Sequence, residues 1–469
     1  MPPFPAAASA PHAAPAPRRW GRQTPIRAVD RGALIATLCD LGQVGRLEDL
    51  GTNGPLLASA GSTSLFHCLF GRDALRMAMD LLDDFPALAR ATLLELARLQ
   101  GVLDNPRAEE ERGRILHEHR HPDDPHREIL AQRWDFPYYG AVDTTPQWIN
   151  LLGRYCAGHG TAILDQAVTN RAGQRTTVRD SLLAGLSWIV RRLEDPAGAG
   201  FLWVRRASPL GIRNQVWEDS NDSYYYEDGA LVDGEAAFAP VAIQGYTYDA
   251  LLHAAALLWR SPGPGVVAAE AMSDLQRRAA VLRARVLASF WQPDLDTFAH
   301  ALAFDSGRGA RPARVVASGA GHLLDSRLLD GCDAAHYRER LIARLRARDL
   351  LAGAGVRTKS TAAPRFGPGT YHNGSTWPMD TGVIADGLRR HGCDRQADDL
   401  DRRIVNSCAR VGGFPEFFRG DVDGRVRVNR ATIDAVVDGV SNRVEQPPQH
   451  RQGWTTTRVW RILRQRGGL

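Results

Sequence analysis

Five stretches of this 469-residue chain crowd aromatic, amide and charged side chains together as ordinary connections do not. They are residues 66–73 (FHCLFGRD), 113–120 (GRILHEHR), 138–148 (YYGAVDTTPQW), 214–222 (NQVWEDSND) and 371–380 (YHNGSTWPMD). Phe414-Pro415-Glu416-Phe417 and residues 449–454 add to them near the C-terminus. A sugar site needs this mixture. Aromatic faces lie on the apolar faces of pyranose rings, while Asp, Arg, His and Asn hydrogen-bond the hydroxyls. Cleaving a glycosidic bond also takes one carboxyl to protonate the leaving oxygen and a second to activate water. Acids beside aromatics are partly desolvated, which can raise one carboxyl pKa enough to hold a proton.

Each of these residues also has a plainer reading. Asp219, followed by Ser220 and Asn221, can be an N-cap or Asx-turn residue. Glu416 can be a surface loop carboxylate. Arg72 and Asp73 follow a glycine and open a helix, so they can form a capping ion pair rather than grip sugar hydroxyls bidentately. Asp380, just after Pro378, can simply favour a helix macrodipole. His117, His119, His121 and His126 form the only histidine cluster, but their irregular spacing matches no metal geometry, and a solvated loop is expected. The pieces AGAG at 197–200 and GSTSLF at 61–66 lack the strand–helix setting of phosphate-binding loops. No metal and no cofactor is expected.

The elements that must position these loops are helical. Helical spacing and breakers predict helices near residues 72–84, 87–103, 146–156, 179–193, 244–259, 266–291, 334–348, 380–391, 395–411 and 456–465. Extended segments are few, residues 297–303 among them. Ten to twelve helices in a regular helix–loop–helix rhythm suit a toroid of hairpins, an inner ring within an outer one, with long loops forming a mouth. Residues 26–469 are expected to form that unit. Residues 1–25 are Pro/Ala-rich, lack the charged start of a signal peptide, and read as a disordered tail.

Composition narrows the partners. A hydrophobic fraction of 44% supplies a sizeable core, and no run nears the roughly 18 apolar residues of a membrane span. The net charge of +5 comes almost wholly from arginine, Lys359 being the sole lysine. These charges interleave with acids, unlike a nucleic-acid footprint. Six scattered cysteines without a CxxC pair suit reduced thiols and a cytoplasmic location. The expected partner is a carbohydrate, with neither nucleic acid nor membrane. Oligomeric state is not legible.

The motifs FGRD, GRILHE.R, YYGAVDTTP, W.DSND, IQGY, YHNGSTWP and FPE, in this order over residues 64–454, resemble the amylo-alpha-1,6-glucosidase family, the glucosidase part of glycogen debranching enzymes and its bacterial relatives. The resemblance implies an all-α (α/α)6 barrel, inversion at the anomeric carbon and no metal. It implies Asp219 as general acid and Glu416 as general base. Arg72, Asp73, Asp143, Trp148, Trp217, Asp222, Gln244, Tyr371, His372, Asn373 and Trp377 would line the sugar site, with Glu118 and Arg120 at its rim. Asp222 is a reserve for the acid.

Two departures bear on what this implies. The large β-rich or transferase domain of full debranching enzymes has no counterpart here, which weakens a polymeric substrate. An Arg- and Asp-rich insertion at 420–443 separates Glu416 from the following segment, leaving Glu445 as an alternative base. Three readings follow: an inverting α-glucosidase; a hydrolase of a small glucosyl or mannosyl conjugate such as glucosylglycerate, with Arg213 and Arg365 available for its acid group; and a carbohydrate-binding toroid without catalysis.

Overall fold

The computed structural model describes residues 27–305 and 309–469. The tail expected at 1–25 lies outside them. Among the described residues twelve α-helices run in chain order: α1 Arg31–Leu41, α2 Gly71–Leu81, α3 Pro86–Arg98, the single-turn α4 Arg127–Leu130, α5 Thr144–His159, α6 Val178–Glu194, α7 Val241–Arg260, α8 Ala268–Phe290, α9 Ala335–Leu345, α10 Pro378–Arg390, α11 Asp394–Val411 and α12 Gly453–Gln465. A 3-10 segment, Ser318–Leu324, stands between α8 and α9.

The packing closes a ring. Helices α2, α5, α7, the segment Ser318–Leu324, α10 and α12 each touch the next, and α12 returns to α2. Outside them, α3, α6, α8, α9, α11 and α1 each pack on an inner neighbour. This is an (α/α)6 toroid. Inner elements are enclosed by the outer ring and one another, so their pattern is not simply amphipathic. All eleven residues of α2 are buried, including Arg72, Asp73, Arg76 and Asp80. Charged side chains there must find partners within the barrel.

Every helix expected from sequence is present, most within two to four residues of its expected ends. Proline opens α3 and α10 at first-turn positions, where its missing N–H costs nothing. Thr177 and Asp180 form a reciprocal capping box at α6. Three features were not read from sequence. Helix α1 completes the outer ring. The inner 3-10 segment, SGAGHLL, is too glycine-rich and short to show helical periodicity. The insertion contains an antiparallel hairpin, Ile433–Val437 with Val440–Glu445. No helix among the described residues is long and apolar enough to cross a membrane.

Candidate active site

The sequence-marked loops gather where the inner helices begin. Arg72 and Asp73 lie in the first turn of α2, Asp143 precedes α5, Asp380 is in the first turn of α10, and Gln452 caps α12. Helix N-termini expose backbone N–H groups and a partial positive charge, a favourable setting for carboxylates. Arg72 and Asp73 do not cap their helix as an ion pair. Arg72 makes a bidentate pair with Asp143, Nε to Oδ2 at 2.8 Å and Nη2 to Oδ1 at 3.0 Å, while Asp73 accepts from Gln452 Nε2 at 2.9 Å. Asp143 makes no side-chain cap bond with α5.

Asp219 stands over this pair, its Oδ2 3.9 Å from Arg72 Nη1. No helix begins there, so it is not an N-cap. Its loop is held from several sides. Asn214 Nδ2 donates to Ser220 O at 2.7 Å, Ser223 Oγ to Glu218 O at 2.6 Å, and Asn373 Nδ2 to Asp222 O at 3.1 Å. Although 31% of the Asp219 side chain opens to the mouth, burial of the carboxyl outweighs Arg72 and pushes its pKa up to about 7, with Asp73 and Asp143 adding to the rise.

Glu416 faces the same space from residues 414–417. Tyr371 Oη donates to its Oε1 at 2.5 Å, and Gln449 Nε2 donates to the same oxygen at 3.2 Å. Burial pushes its pKa up to about 8 despite these donors, and Asp73 and Asp219 push in the same direction. Asp73 itself is raised to about 6, first by burial. Three carboxyls from distant parts of the chain therefore act on one another. They cannot all ionise together at neutral pH, and their titration belongs to the group.

Aromatic rings back the site. Trp217 meets His372 and Trp377 edge-on at 5.6 and 6.0 Å, and His372 stacks on Trp377 at 4.9 Å. Tyr371 packs against Phe417 at 5.2 Å. Trp377 is 1% exposed; it supports Tyr371 and His372 from behind rather than offering an open stacking face. His372 Nδ1 bonds the Ser220 hydroxyl at 3.0 Å, whereas its Nε2 is buried without a partner. Burial holds this imidazole neutral, with a pKa near 3.

Several expected lining residues lie elsewhere. Trp148 is fully buried between α3 and α5, donating to Leu93 O at 3.1 Å, and is a core residue. Gln244 is spent on structure: Nε2 donates to Leu202 O and Pro240 O, and Oε1 accepts from Leu202 N. Glu118 is not a rim contact. It is buried in an ion pair with Arg120 at 2.5 Å, and Arg120 also holds Asp124 and the Leu65 carbonyl. Asp222 is buried and contributes its backbone carbonyl to Asn373. Glu445 pairs with Arg419 at 3.1 Å on the hairpin, apart from the three carboxyls. The histidines do not converge, since His117 packs on Phe70 and Tyr138 whereas His121 lies at the surface beside Asp123.

Sequence reading passed over a buried group beneath the acids. Glu218 bonds His300 Nε2 and Lys359 Nζ, the latter at 3.0 Å. Despite burial, His300 and Lys359 hold this carboxyl well below the usual range. Nearby, His322 joins Tyr246 Oη to Asp380 Oδ1, the second contact 2.8 Å, and stacks under Trp217. Glu218, Trp217, Tyr246 and Asp380 stand within motifs the sequence marked, but nothing there pointed to His300 or His322, and only its rarity marked Lys359.

The comparisons with known proteins agree with this architecture. The family model "Mannosylglycerate hydrolase MGH1-like glycoside hydrolase domain" matches residues 137–426. No curated protein matches the sequence. Among solved structures, the fold is similar to a GH63 mannosylglycerate hydrolase from Thermus thermophilus in complex with Tris and D-glycerate. The TM-score is 0.58 at 14% identity, covering 91% of this chain and 99% of that one. The same enzyme in complex with glucose gives 0.58 at 14%, covering 92% and 99%. A wild-type glycosidase gives 0.53 at 17%, covering 94% and 100%. At these identities the structures speak for the fold. The family match speaks for a glycoside hydrolase, in coarse agreement with the glucosidase resemblance but without its debranching specificity. The chain belongs to the mannosylglycerate hydrolase MGH1-like glycoside hydrolase family.

Proposed function

We propose that this enzyme hydrolyses, with inversion, the glycosidic bond of a small glycosyl conjugate bearing a carboxylate, such as a mannosyl or glucosyl glycerate. The observation that carries the reading is the convergence of Asp219 and Glu416 around Asp73, with Tyr371 bonded to Glu416. Asp219 is the general acid. Its raised pKa keeps a proton near neutrality for the leaving oxygen. Glu416 is the general base, oriented by Tyr371 and Gln449 to take a proton from water on the opposite face of the sugar. The microstate that reacts has the proton on Asp219 and the charge on Glu416. The two donors on Glu416 draw the pair toward it, while burial leaves Glu416 with the higher proton affinity, so this is the minor of the two singly protonated forms. Arg72, Asp73 and His372 Nε2 bind sugar hydroxyls, with Asp143 holding the Arg72 fork in place.

A short substrate suits the mouth. The inserted hairpin reaches over it: Asn221 Nδ2, two residues from Asp219, donates to Ser441 O at 3.1 Å, and Arg365 pairs with Asp438. Arg365 also donates to Gly229 O, and half-buried Arg213 stands on the same rim with Asp438 in its field. These guanidinium groups, engaged with Asp438, Gly229 O and Val232 O, are the rim cations this reading gives to an acidic aglycone. The family match, and the D-glycerate and glucose bound to the Thermus enzyme, support this more than a branched polymer.

The test is hydrolysis of mannosylglycerate, glucosylglycerate, isomaltose and panose, with the first-formed anomer followed by proton NMR. Turnover of a glycerate conjugate with inverted product is expected. Preference for isomaltose or panose would return the debranching reading, a retained anomer would remove the inverting mechanism, and binding without turnover would leave a lectin-like toroid.

A further inference from the structure

Among the 58 basic residues of this chain, Lys359 is the sole lysine. Its side chain is completely buried. The backbone around it is fixed on both sides: Lys359 pairs with Ala317, Ser318 N donates to Thr358 O at 3.1 Å, and Thr358 N donates to Ser375 O at 2.9 Å. From this rigid seat the ammonium makes two bonds, to Glu218 Oε1 at 3.0 Å and to the His372 carbonyl at 3.1 Å. The other oxygen of Glu218 is taken by His300, whose ring stacks on Tyr224 at 4.2 Å with the planes 3° apart.

These two acceptors belong to the two halves of the site. Glu218 immediately precedes Asp219. His372 immediately follows Tyr371, the donor to Glu416. A buried ion pair is weak evidence for stability, because the cost of desolvation offsets the attraction. Other buried cations of this chain, such as Arg72, Arg114, Arg357 and Arg458, are arginines. A planar guanidinium spreads its donors over a wide fork, whereas an ammonium directs several donors from one atom. The junction between a carboxylate and a carbonyl from another loop calls for the second geometry.

The structure assigns Lys359 as a positioning residue, whose ammonium ties the Asp219 loop to the Tyr371–His372 segment, itself anchored separately through Gly374 N to Thr358 Oγ1 at 2.9 Å, and thereby holds the acid in place. The assignment rests on Asp219 being the general acid. The Lys359 ammonium is completely buried and directed at these two protein acceptors. Two carboxyls on opposite faces of a sugar work only at a held separation, and a misplacement of about 1 Å can cost on the order of 10²-fold in rate.

The experiment compares two glycosides of the same sugar, an alkyl glycoside that the wild-type enzyme hydrolyses and the dinitrophenyl glycoside, whose leaving group departs without a proton. Lys359→Arg and Lys359→Met are expected to lose about 10²-fold in kcat on the alkyl glycoside. On the dinitrophenyl glycoside they should lose less than about threefold, with KM little changed on either. Asp219→Asn should show the same split. Equal losses on both glycosides, or wild-type rates for Lys359→Arg, would overturn the assignment. If Asp219→Asn splits the substrates and the Lys359 variants do not, Lys359 alone is misassigned; if Asp219→Asn shows no split, the acid assignment fails and takes this one with it. Should Lys359→Met not fold, Glu218→Gln/Lys359→Met leaves no unpaired charge and is read by the same criteria.

Discussion

Two clusters of buried carboxyls lie in this barrel, and they behave oppositely. Toward the C-terminal ends of the inner helices, Asp386 accepts from Arg458 at 2.7 Å and Arg461 at 2.9 Å, and the same arginines reach Asp80 at 2.7 and 3.2 Å. With two guanidinium groups for two carboxylates, Asp386 is held well below the usual carboxylate range. At the mouth, Asp73 and Asp219 share one arginine, whose fork is already committed to Asp143, Glu416 has only the neutral donors Tyr371 and Gln449, and all three rise to between about 6 and 8. Burial is common to both clusters. What differs is the supply of cations, which makes one a settled ionic joint and leaves the other poised to exchange a proton.

The comparison breaks most directly by mutation. Asp219→Asn and Glu416→Gln should each lower kcat by about 10²–10⁴-fold while circular dichroism stays native; a loss under about tenfold in either would take the role from that residue. Asp386→Asn should do the reverse. It leaves two buried guanidinium groups with Asp80 as their one remaining carboxylate, at a cost of up to about 3–5 kcal/mol in denaturant unfolding, while kcat per folded molecule stays near wild type.

Proton linkage sharpens the contrast with smaller effects. The folded pKa values of Glu416 and Asp219 lie above ordinary carboxylate values, so their folded state is favoured at low pH and loses stability as pH rises through about 7 to 8. Glu416→Gln should therefore raise stability on the order of 1–3 kcal/mol at high pH and scarcely at pH near 4. Asp386 has the opposite sign: its lowered pKa contributes stability above the ordinary carboxylate range that fades as pH falls. Parallel pH profiles of the two variants would dissolve the distinction.

In kinetics, one proton on the acid–base pair is required, so kcat/KM should be bell-shaped, rising near pH 7 and falling near pH 8. An optimum below pH 5 would contradict the desolvated cluster. The smallest effect is expected from Tyr371→Phe. Losing the donor should raise the proton affinity of Glu416, the higher of the pair, and so move the alkaline limb upward by roughly one pH unit or less, the worth of a charge-assisted hydrogen bond here.

Much of the fold was legible because helix signals are local. Pro86 and Pro378 start helices, apolar spacing runs through α2 and α7, and the breakers between them lie within a few residues. The 3-10 segment was not legible, since SGAGHLL is helical only because α7 and α10 enclose it. The site was legible as a set of loops but not as a set of roles. Trp148 sits four residues after the start of α5 and Gln244 three after the start of α7, within the same motifs as true mouth residues. A helix turns side chains 100° per residue, so a motif carries both cavity-facing and core-facing members.

The sequence by itself determined that this is a helical toroid with carbohydrate chemistry in its loops, because periodicity and the company of aromatics with acids are properties of neighbours along the chain. Only the tertiary structure decided which acids converge, that Glu118 and Glu445 are spent on Arg120 and Arg419, and that burial raises the proton affinity of Asp73, Asp219 and Glu416 where arginines lower that of Asp386. A carboxyl's proton affinity is set by burial and by charges within a few ångströms. In this chain those charges come from residues tens to hundreds of positions away, as Arg72 does for Asp219 and Lys359 for Glu218.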